Sequence, residues 1–332
     1  MIDHSNKRQS GKRQSGQRQS VLDNFTPRRE LGRTGFVATQ LGIGDVADRQ
    51  IPLETCVATV ERALAAGLNL IDTAPMYEDG YSEEIVGAAI RAWGGRREQI
   101  FLIDKIDFPE APVGPQIEAS LGRLQLERTD AFVFHALNSI DLCEQLLEPG
   151  GGFDQLYEAV QHGLTRFRGV SSHNPVVLQK VIESGNCDIV MFPVGPFVDH
   201  RYVEEILPLA RRKAVGTVCF KTFGAGKLVG DTSGYNQPLQ IRPRGKISSG
   251  GSNDGATILP RLSVADCLHY TMTLDPDVAL LGLSFPNEQD EAFAAAANFH
   301  PLDDEVMADI RQRAANARQS KGPCWWNPDP DA

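Results

Sequence analysis

Strand and helix patterns alternate eight times along this chain, and this alternation limits the fold more than any other feature. Short apolar runs such as NLIDTA and IFLIDKI end near polar residues, and each precedes a segment with apolar residues at helical spacing, such as SEEIVGAAIRAWG. Strands that are apolar on both faces are typical of parallel sheets, which are covered on both sides. Eight such units over roughly 280 residues predict a (β/α)8 TIM barrel of the α/β class.

A doubly wound parallel sheet is the alternative arrangement of the same units. Such a sheet usually carries the fingerprint G-x-G-x-x-G after its first strand. The first turn here reads GIGDVADRQIP, which lacks that fingerprint. The barrel is therefore favoured, as a single domain over residues 28–320 that ends with an extra amphipathic helix and is followed by a short tail at 321–332.

Two segments lack the alternating pattern. Residues 1–27 contain imperfect repeats of KRQSG and have little to bury, so we predict a disordered tail that either binds an anionic partner or has no role of its own. Residues 228–262 are rich in Gly, Ser and Pro and too long for an ordinary connection. We expect this long loop to be either a lid over the site or a disordered segment.

Composition excludes several classes of function. A net charge of −10 disfavours nucleic acid and anionic membranes as partners, because both attract basic surfaces. The six cysteines include no C-x-x-C pair, which is typical of reduced thiols in a chain this long. No apolar run reaches the ~18 residues of a membrane helix, and the N-terminus lacks an apolar signal-peptide core. We expect a cytoplasmic protein, and no residue is assigned to a metal.

Polar residues close three successive strands of the predicted barrel. Asp72, Lys105 and His135 end the second, third and fourth strands, and Tyr77 follows Asp72 by five residues. Active sites of such barrels lie at the carboxyl ends of the strands, so these side chains are predicted to share one site. Each also has a simpler interpretation. Asp72 could cap a turn, Lys105 could lie on the surface, His135 could be a core histidine, and Tyr77 could pack within its loop.

The combination of these four residues indicates chemistry on a carbonyl group. A buried lysine and a buried aspartate are each costly alone, so Lys105 and Asp72 are expected to pair. The lysine charge is expected to lower the pKa of Tyr77 from ~10, which would make it a general acid near neutral pH. His135 is expected to hydrogen-bond a substrate oxygen. None of these residues supplies a hydride, so a nicotinamide cofactor is required.

The segment NLIDTAPMYEDGYSEEIVGAAI resembles the signature of the aldo-keto reductases. RRELGRTGFVATQLGIG resembles the opening hairpin of that family, which closes the bottom of the barrel, while IFLIDK and TDAFVFH resemble its lysine and histidine strands. The resemblance covers about residues 28–318. It implies that Tyr77 is the proton donor, that Lys105 and Asp72 tune it, and that His135 orients the substrate.

The same resemblance implies where an NADP or NAD cofactor lies. The positions it indicates follow the strands on the cofactor side: Gly44, Asp45, Ser171, Ser172, His173, Met191, Lys221, Thr222, Phe223, Gly224, Gly226, Lys227, Ser284, Asn287 and Glu288. Met191 and Val194 stand where the family usually has a Gln for the nicotinamide amide and a Tyr that stacks on the ring. The family resemblance implies NADP, whose 2′-phosphate usually pairs with a basic residue after the eighth strand. That segment here, GLSFPNEQDEAF, has no basic residue, so NAD is also possible.

Three functions remain open at the level of sequence. The first is an NAD(P)-dependent oxidoreductase, an aldo-keto reductase or alcohol dehydrogenase, that acts on a small carbonyl or alcohol substrate. The second is a cofactor-binding regulatory or redox-sensing barrel with slow turnover. The third is an unrelated barrel lyase that uses Lys105 as a Schiff base. The tryptophans of the tail, Trp325 and Trp326, either line a pocket or hold the C-terminus on the barrel.

Overall fold

The structure is a computed structural model that describes residues 27–229, 260–283 and 286–319, together with Cys324 and residues 326–327, except for the side chain of Asn287. The tail at 1–26, most of the long loop, Ser284 and Trp325 lie outside the described residues. The predictions of a disordered tail and of a lid therefore stay predictions. No helix among the described residues is long and apolar enough to cross a membrane.

Eight parallel strands form a closed barrel, which confirms the predicted fold class. A two-stranded antiparallel hairpin precedes it, formed by β1 (Arg28–Glu30) and β2 (Val37–Thr39). The barrel strands are β3 (Leu41–Gly44), β4 (Leu70–Asp72), β5 (Phe101–Ile106), β6 (Ala131–Phe134), β7 (Phe167–Ser171), β8 (Ile189–Pro193), β9 (Gly216–Phe220) and β10 (Val278–Leu281). They lie in sequence order, and β10 closes the barrel against β3.

Helices cover the outside of the barrel. They are α1 (Leu53–Ala66), α2 (Tyr81–Ala92), α3 (Val113–Leu124), α4 (Ile140–Leu147), α5 (Gly152–Gln161), α6 (Pro175–Ser184), α7 (Leu207–Arg212), α8 (Val264–Thr273), α9 (Pro286–Ala297) and α10 (Asp304–Ala317). A π-helical turn, Tyr202–Ile206, runs directly into α7. The predicted terminal helix is α10, and Asp303 caps it by accepting a hydrogen bond from Val306 N.

Two apolar layers give the barrel its stability. One fills the space between strands and helices, and the other fills the barrel interior with residues such as Phe101, Val133, Met191 and Val218. Leu31, from the hairpin connection, belongs to the interior layer and is fully buried. The hairpin therefore closes the bottom of the barrel, and the opposite end, where the strands terminate, is left for a site.

Three local expectations needed correction. The apolar run VATQLGIGD, residues 37–45, predicts a single first strand, but it is divided between β2 and β3, because the chain bends at Gln40 to pass from the hairpin into the barrel. Ser82, which is followed by two acids, is typical of an N-cap in the sequence, but it is not the N-cap of α2. That helix begins at Tyr81 after Gly80 in the left-handed conformation (φ 81°), and the Ser82 hydroxyl instead accepts a hydrogen bond from Thr73 at 2.9 Å. The stretch before α5 contains an additional helix, α4, capped by Ser139.

The ends of the long loop meet at its base. Val229 and Leu262 form a parallel bridge, and Leu262 N donates to Leu228 O at 2.8 Å. Both leucines and Val229 are buried in the outer core. The loop therefore leaves and rejoins the barrel at one fixed point.

Candidate active site

The strand register brings Asp72, Lys105 and His135 to the same end of the barrel. Asp72 ends β4 and pairs with Ile103 of β5, while Lys105 pairs with Val133 of β6. His135 follows β6 directly, and its backbone N–H donates to Ile106 O at 3.0 Å. Because the side chains of a strand alternate between faces, Ile103 and Lys105 both project inward, with Lys105 nearer the mouth.

Lys105 and Asp72 form a buried ion pair. The Nζ atom of Lys105 lies 2.6 Å from Oδ1 of Asp72 and 2.7 Å from the carbonyl oxygen of Thr73, and both charged side chains are 2% exposed. Burial raises the pKa of Asp72 although Lys105 opposes that shift. Gly44 makes room for this pair, since a Cβ atom at Gly44 would lie 2.8 Å from Oδ2 of Asp72. The carbonyl oxygen of Thr73 thus helps to fix Lys105, and the missing side chain at Gly44 leaves space for Asp72.

Tyr77 lies above the ion pair on a tightly folded loop. Its ring centroid is 4.4 Å from Nζ of Lys105, so the ammonium group faces the ring. The loop then passes through three consecutive left-handed residues, Glu78, Asp79 and Gly80. Arg49 holds this strained turn by donating to Glu78 O and Asp79 O, each at 2.8 Å. The Tyr77 ring is therefore held over Lys105 by a braced loop.

The expected fall in the pKa of Tyr77 is wrong. Its pKa is raised well above the usual 10.0, first because the phenol is buried and then because of nearby carboxylates, with Asp72 and Asp45 the largest contributors. One lysine, whose charge is already paired with Asp72, does not offset burial and several acidic groups. Tyr77 is therefore a protonated phenol at neutral pH, able to donate a proton but a weak base.

His135 contacts both Tyr77 and a carboxylate that the sequence analysis did not assign. The His135 and Tyr77 rings meet edge to face with centroids 5.5 Å apart. Nδ1 of His135 is hydrogen-bonded to Oδ1 of Asp107, whose side chain is 1% exposed. The other oxygen of Asp107 accepts from Met76 N at 2.6 Å. The alternation 103, 105, 107 was the signal that could have placed Asp107 at the mouth of the barrel.

Asp104, a second buried acid near Lys105 on β5, points away from the barrel interior. Asp104 is fully buried, and one of its oxygens accepts from Lys105 N at 2.8 Å. Burial and the neighbouring Glu83 raise its pKa well above 3.8. Glu83 is itself held by two hydrogen bonds from the Arg123 guanidinium. This cluster packs α2 and α3 against β5, on the outside of the barrel.

The residues after β7 are held by their own hydrogen bonds. Ser172 donates to Leu137 O at 2.6 Å and accepts from Asn174 N at 3.0 Å. The ring of His173 is 5.2 Å from that of Phe220, and burial, then Lys221 and His135, lower the pKa of His173 to about 3. His173 is therefore neutral. The Ser172 hydroxyl holds this loop in place, which the sequence did not indicate.

An apolar floor lies between the two halves of the mouth. Met191 is 1% exposed, lies in the barrel interior layer and pairs with Ser171 across β7 and β8. Val194 is also buried and donates its N–H to Phe220 O at 2.8 Å. Neither side chain can donate a hydrogen bond to an amide, and Met191 is at most a weak acceptor. A nicotinamide ring would rest there on apolar contacts.

The end of β9 carries a half-buried lysine in a strained conformation. Lys221 adopts φ 74°, and its Nζ lies 5.5 Å from the Phe220 ring and 5.8 Å from the Trp326 ring. Burial lowers the pKa of Lys221 to about 8, while Asp45, left-handed at φ 49°, opposes the shift. Left-handed non-glycine residues cluster at functional sites. Here two of them stand at the ends of strands that face the same mouth.

The turn after β9 partly fits a cofactor. The Thr222 hydroxyl is buried and has no hydrogen-bond partner among the described residues, so a ligand oxygen or amide could pair with it. An added Cβ at Gly226 (φ 84°) would meet no atom of the described residues within 4 Å, so space lies beside it in that part of the chain. Gly224 is needed for the turn itself, because its Cβ would lie 2.8 Å from Leu228. The carbonyl oxygen of Phe223 is used within the turn, where it accepts from Gly226 N at 3.0 Å.

The segment after β10 presents buried polar groups rather than basic ones. Glu288 and Gln289, in the first turn of α9, are both fully buried. Gln289 donates to Thr59 O at 2.8 Å, which ties α9 to α1. Lys227, after β9, is also buried. Ser284 and the side chain of Asn287 lie outside the described residues, so their predicted contacts stay untested.

Trp326 fixes the C-terminal segment to the barrel. It is fully buried, its Nε1 donates to Phe197 O at 3.2 Å, and its carbonyl accepts from the Tyr202 hydroxyl at 3.1 Å. The single hydrogen of that hydroxyl is shared with His173 O, which lies 2.6 Å away. The tail is thereby linked to the loop that follows β7. The Trp326 ring also lies 5.8 Å from Nζ of Lys221.

A closed parallel barrel with an Asp, a Tyr, a Lys and a His at its mouth defines a class of oxidoreductases. The chain matches the Aldo/keto reductase family over residues 38–315, and it belongs to that family. Members of this family use nicotinamide cofactors.

Individual relatives are distant. Uncharacterized oxidoreductase YqkF of Bacillus subtilis is 27% identical over 58% of this chain and 63% of its own length, so the chain spans less than two thirds of that relative. L-galactose dehydrogenase of Arabidopsis thaliana is 23% identical over 85% of this chain and 92% of its own. The holo form of aldo-keto reductase AKR11C1 from Bacillus halodurans, 23% identical, covers 88% of this chain and 96% of its own with a TM-score of 0.65, which shows a common fold.

Proposed function

We propose that the protein reduces an aldehyde or ketone to an alcohol, or catalyses the reverse reaction, with NADH or NADPH as the hydride source. The observation that carries this proposal is the buried Lys105–Asp72 pair beneath the Tyr77 ring, with His135 in edge contact with that ring. A buried Lys105–Asp72 pair beneath Tyr77 is suited to catalysis, because it holds the phenol in place and sets the electrostatic field around it.

In the proposed reaction, Tyr77 and His135 act on the substrate oxygen, and Lys105 acts on Tyr77. When bound, a nicotinamide would supply the hydride that the carbonyl carbon requires. The Tyr77 hydroxyl gives its proton to the carbonyl oxygen, which completes the alcohol. The phenolate then regains a proton from solvent. Because burial and the nearby acids raise the pKa of Tyr77, the proton donor is present throughout the neutral range, and Lys105 stabilises the phenolate that forms. His135 hydrogen-bonds the same oxygen and orients it.

The cofactor is proposed to lie across the apolar floor, from Asp45 to the turn after β9. The proposed contacts are Thr222, the open side of Gly226 and half-buried Lys221, together with Gly44, Ser171, Phe223 and Lys227. NADH is the expected preference, because the first turn of α9 contributes the buried Glu288 and no basic side chain for a 2′-phosphate. Separate titrations with NADH and NADPH, followed by quenching of tryptophan fluorescence, measure this preference.

The test of the catalytic assignment is Tyr77→Phe. We expect the loss of the hydroxyl to lower kcat by about 10²–10⁴-fold, the range for a general acid, while the affinity for the cofactor changes little. Tyr157→Phe is the matched control, because Tyr157 is 49% exposed on the outer helix α5. The proposal fails if Tyr77→Phe retains wild-type turnover of an aldehyde that the wild type reduces.

A regulatory or redox-sensing barrel with slow turnover is the second candidate. The apolar Met191 and Val194 favour it, because neither side chain can hold the nicotinamide amide by a strong hydrogen bond. Single-turnover oxidation of bound NADH by a panel of aldehydes separates the two functions. Fast oxidation supports the enzyme, and oxidation over many minutes by every aldehyde supports the sensor. A Schiff-base lyase is disfavoured because Nζ of Lys105 is held by Asp72 and Thr73, and borohydride trapping tests it.

A further inference from the structure

The C-terminal segment is attached to the barrel beside the strands of the cofactor side. Trp326 is fully buried, and its Nε1 donates to Phe197 O at 3.2 Å. The side-chain oxygen of the next residue, Asn327, accepts from Asp199 N at 3.0 Å. Phe197 and Asp199 both belong to the loop that follows β8, so two successive residues of the tail hold one loop at the mouth.

Tyr202 joins the same segment to the loop that follows β7. Its hydroxyl lies 2.6 Å from His173 O and 3.1 Å from Trp326 O, so its single hydrogen is shared between the two carbonyl oxygens. Tyr202 is fully buried and begins the π-helical turn that leads into α7. Such turns are frequent at functional sites. One phenol thus connects the tail, the loop after β7 and the start of α7.

The ring of Trp326 also faces the ammonium group of Lys221. Nζ of Lys221 lies 5.8 Å from the Trp326 ring and 5.5 Å from the Phe220 ring, both within the range of a cation–π contact. The Phe220 ring in turn lies 5.2 Å from the ring of His173. The lysine is therefore held between two rings, one of which the tail supplies.

The surroundings of Lys221 suit an anionic group of a dinucleotide. The hydroxyl of the next residue, Thr222, is buried and has no hydrogen-bond partner among the described residues. An ammonium group and a hydroxyl beside a glycine-containing turn are groups that bind phosphate oxygens. Burial lowers the pKa of Lys221 to about 8, so its ammonium form predominates at pH 7. A phosphate is thus the expected partner of this lysine.

We propose that Trp326 is a positioning residue for the cofactor, which fixes Lys221 where its ammonium group binds a phosphate of NADH or NADPH. This inference rests on the proposed function. A long lysine side chain loses rotamer freedom when it binds an anion, and a ring that already orients it lowers that cost. Trp326 acts through Lys221 and takes no part in the transfer of hydride or proton. The C-terminal segment thereby completes the cofactor site.

Four substitutions separate this role from a general loss of stability. Trp326→Leu removes the ring and the Nε1–H donor but keeps an apolar side chain, whereas Trp326→Phe keeps a ring beside Lys221. Lys221→Met removes the charge itself. Tyr157→Leu is the matched control, because the Tyr157 ring also packs against a cation, the guanidinium of Arg168 at 4.9 Å, but lies on the outer helix α5.

Calorimetric titration of each full-length variant with NADH at pH 7 measures the dissociation constant without turnover. We expect Trp326→Leu to weaken binding by about 3–30-fold, the range for losing a cation–π contact. Trp326→Phe should stay within about threefold of the wild type, because a ring remains, and Tyr157→Leu should bind as the wild type does. The double variant Lys221→Met/Trp326→Leu should bind no more weakly than Lys221→Met alone, since Trp326 acts through the lysine.

A merely structural role of Trp326 predicts that the losses of the two single variants multiply in the double variant, and that result would overturn the proposal. Wild-type affinity in Trp326→Leu would overturn it as well. If Trp326→Leu does not fold, the proposal still requires weak binding by Lys221→Met and near wild-type binding by Trp326→Phe, and any other result refutes it. If the wild type binds neither NADH nor NADPH, the proposed function fails too; if it binds NADH and the variants bind equally well, only this inference fails.

Discussion

Replacing Lys105 with methionine tests whether the ion pair beneath Tyr77 is as costly to break as its burial implies. The substitution keeps an unbranched side chain but leaves the Asp72 carboxylate without its cation and Thr73 O without its donor. Both charged side chains are 2% exposed, so solvent does not compensate. Removing one partner of such a pair costs about 3–5 kcal/mol in the free energy of unfolding.

Thermal unfolding followed by circular dichroism converts that cost into a measured shift. With an unfolding entropy of about 2.1 cal/mol/K per residue, a chain of this length loses about 1.4 °C for each kcal/mol, so Tm is expected to fall by about 4–7 °C. The double variant Asp72→Asn/Lys105→Met removes the orphaned charge as well. We therefore expect it to be more stable than Lys105→Met alone.

The surface pair Lys180–Glu144 is the matched control. Its N–O distance is also 2.6 Å, but the side chains are 38% and 55% exposed. Lys180→Met should therefore lower Tm much less than Lys105→Met does, because solvent screens an exposed pair. The reasoning is refuted if Lys105→Met and Lys180→Met lower Tm equally, since burial would then not decide the cost of breaking the pair.

Two further variants test the surroundings of the pair. Asp104 has a folded pKa raised by burial and Glu83, so its contribution to stability is present below about pH 3.8 and is lost as the pH rises towards its folded pKa. Asp104→Asn should therefore raise Tm at pH 7 relative to wild type and flatten its dependence on pH from 4.5 to 8; an unchanged slope contradicts this. Gly44→Ala places a Cβ only 2.8 Å from Oδ2 of Asp72, so the Lys105–Asp72 pair must shift. We therefore expect a folded protein whose kcat is lowered by about tenfold or more. A wild-type kcat would count against this reasoning.

Much of the fold could be predicted because its signals are local. The apolar runs that became β4, β5 and β6 and the helical spacing in α2 and α3 are patterns within short segments, and their eightfold repetition allows few arrangements. The errors occurred where a local signal was overridden. Ser82 looks like an N-cap, yet Gly80 can adopt the left-handed conformation that starts α2 one residue earlier.

The sequence by itself determined that Asp72, Lys105 and His135 end neighbouring strands, because strand order and the position of each polar residue are both properties of the chain. Only the tertiary structure decided their environment. The pKa of Tyr77 depends on burial and on carboxylates from several strands, and the role of Asp107 depends on two contacts, with Met76 and His135, that lie far apart in sequence. Electrostatic fields and hydrogen bonds act through space, so a linear pattern identifies the participants but not the protonation state in which they meet.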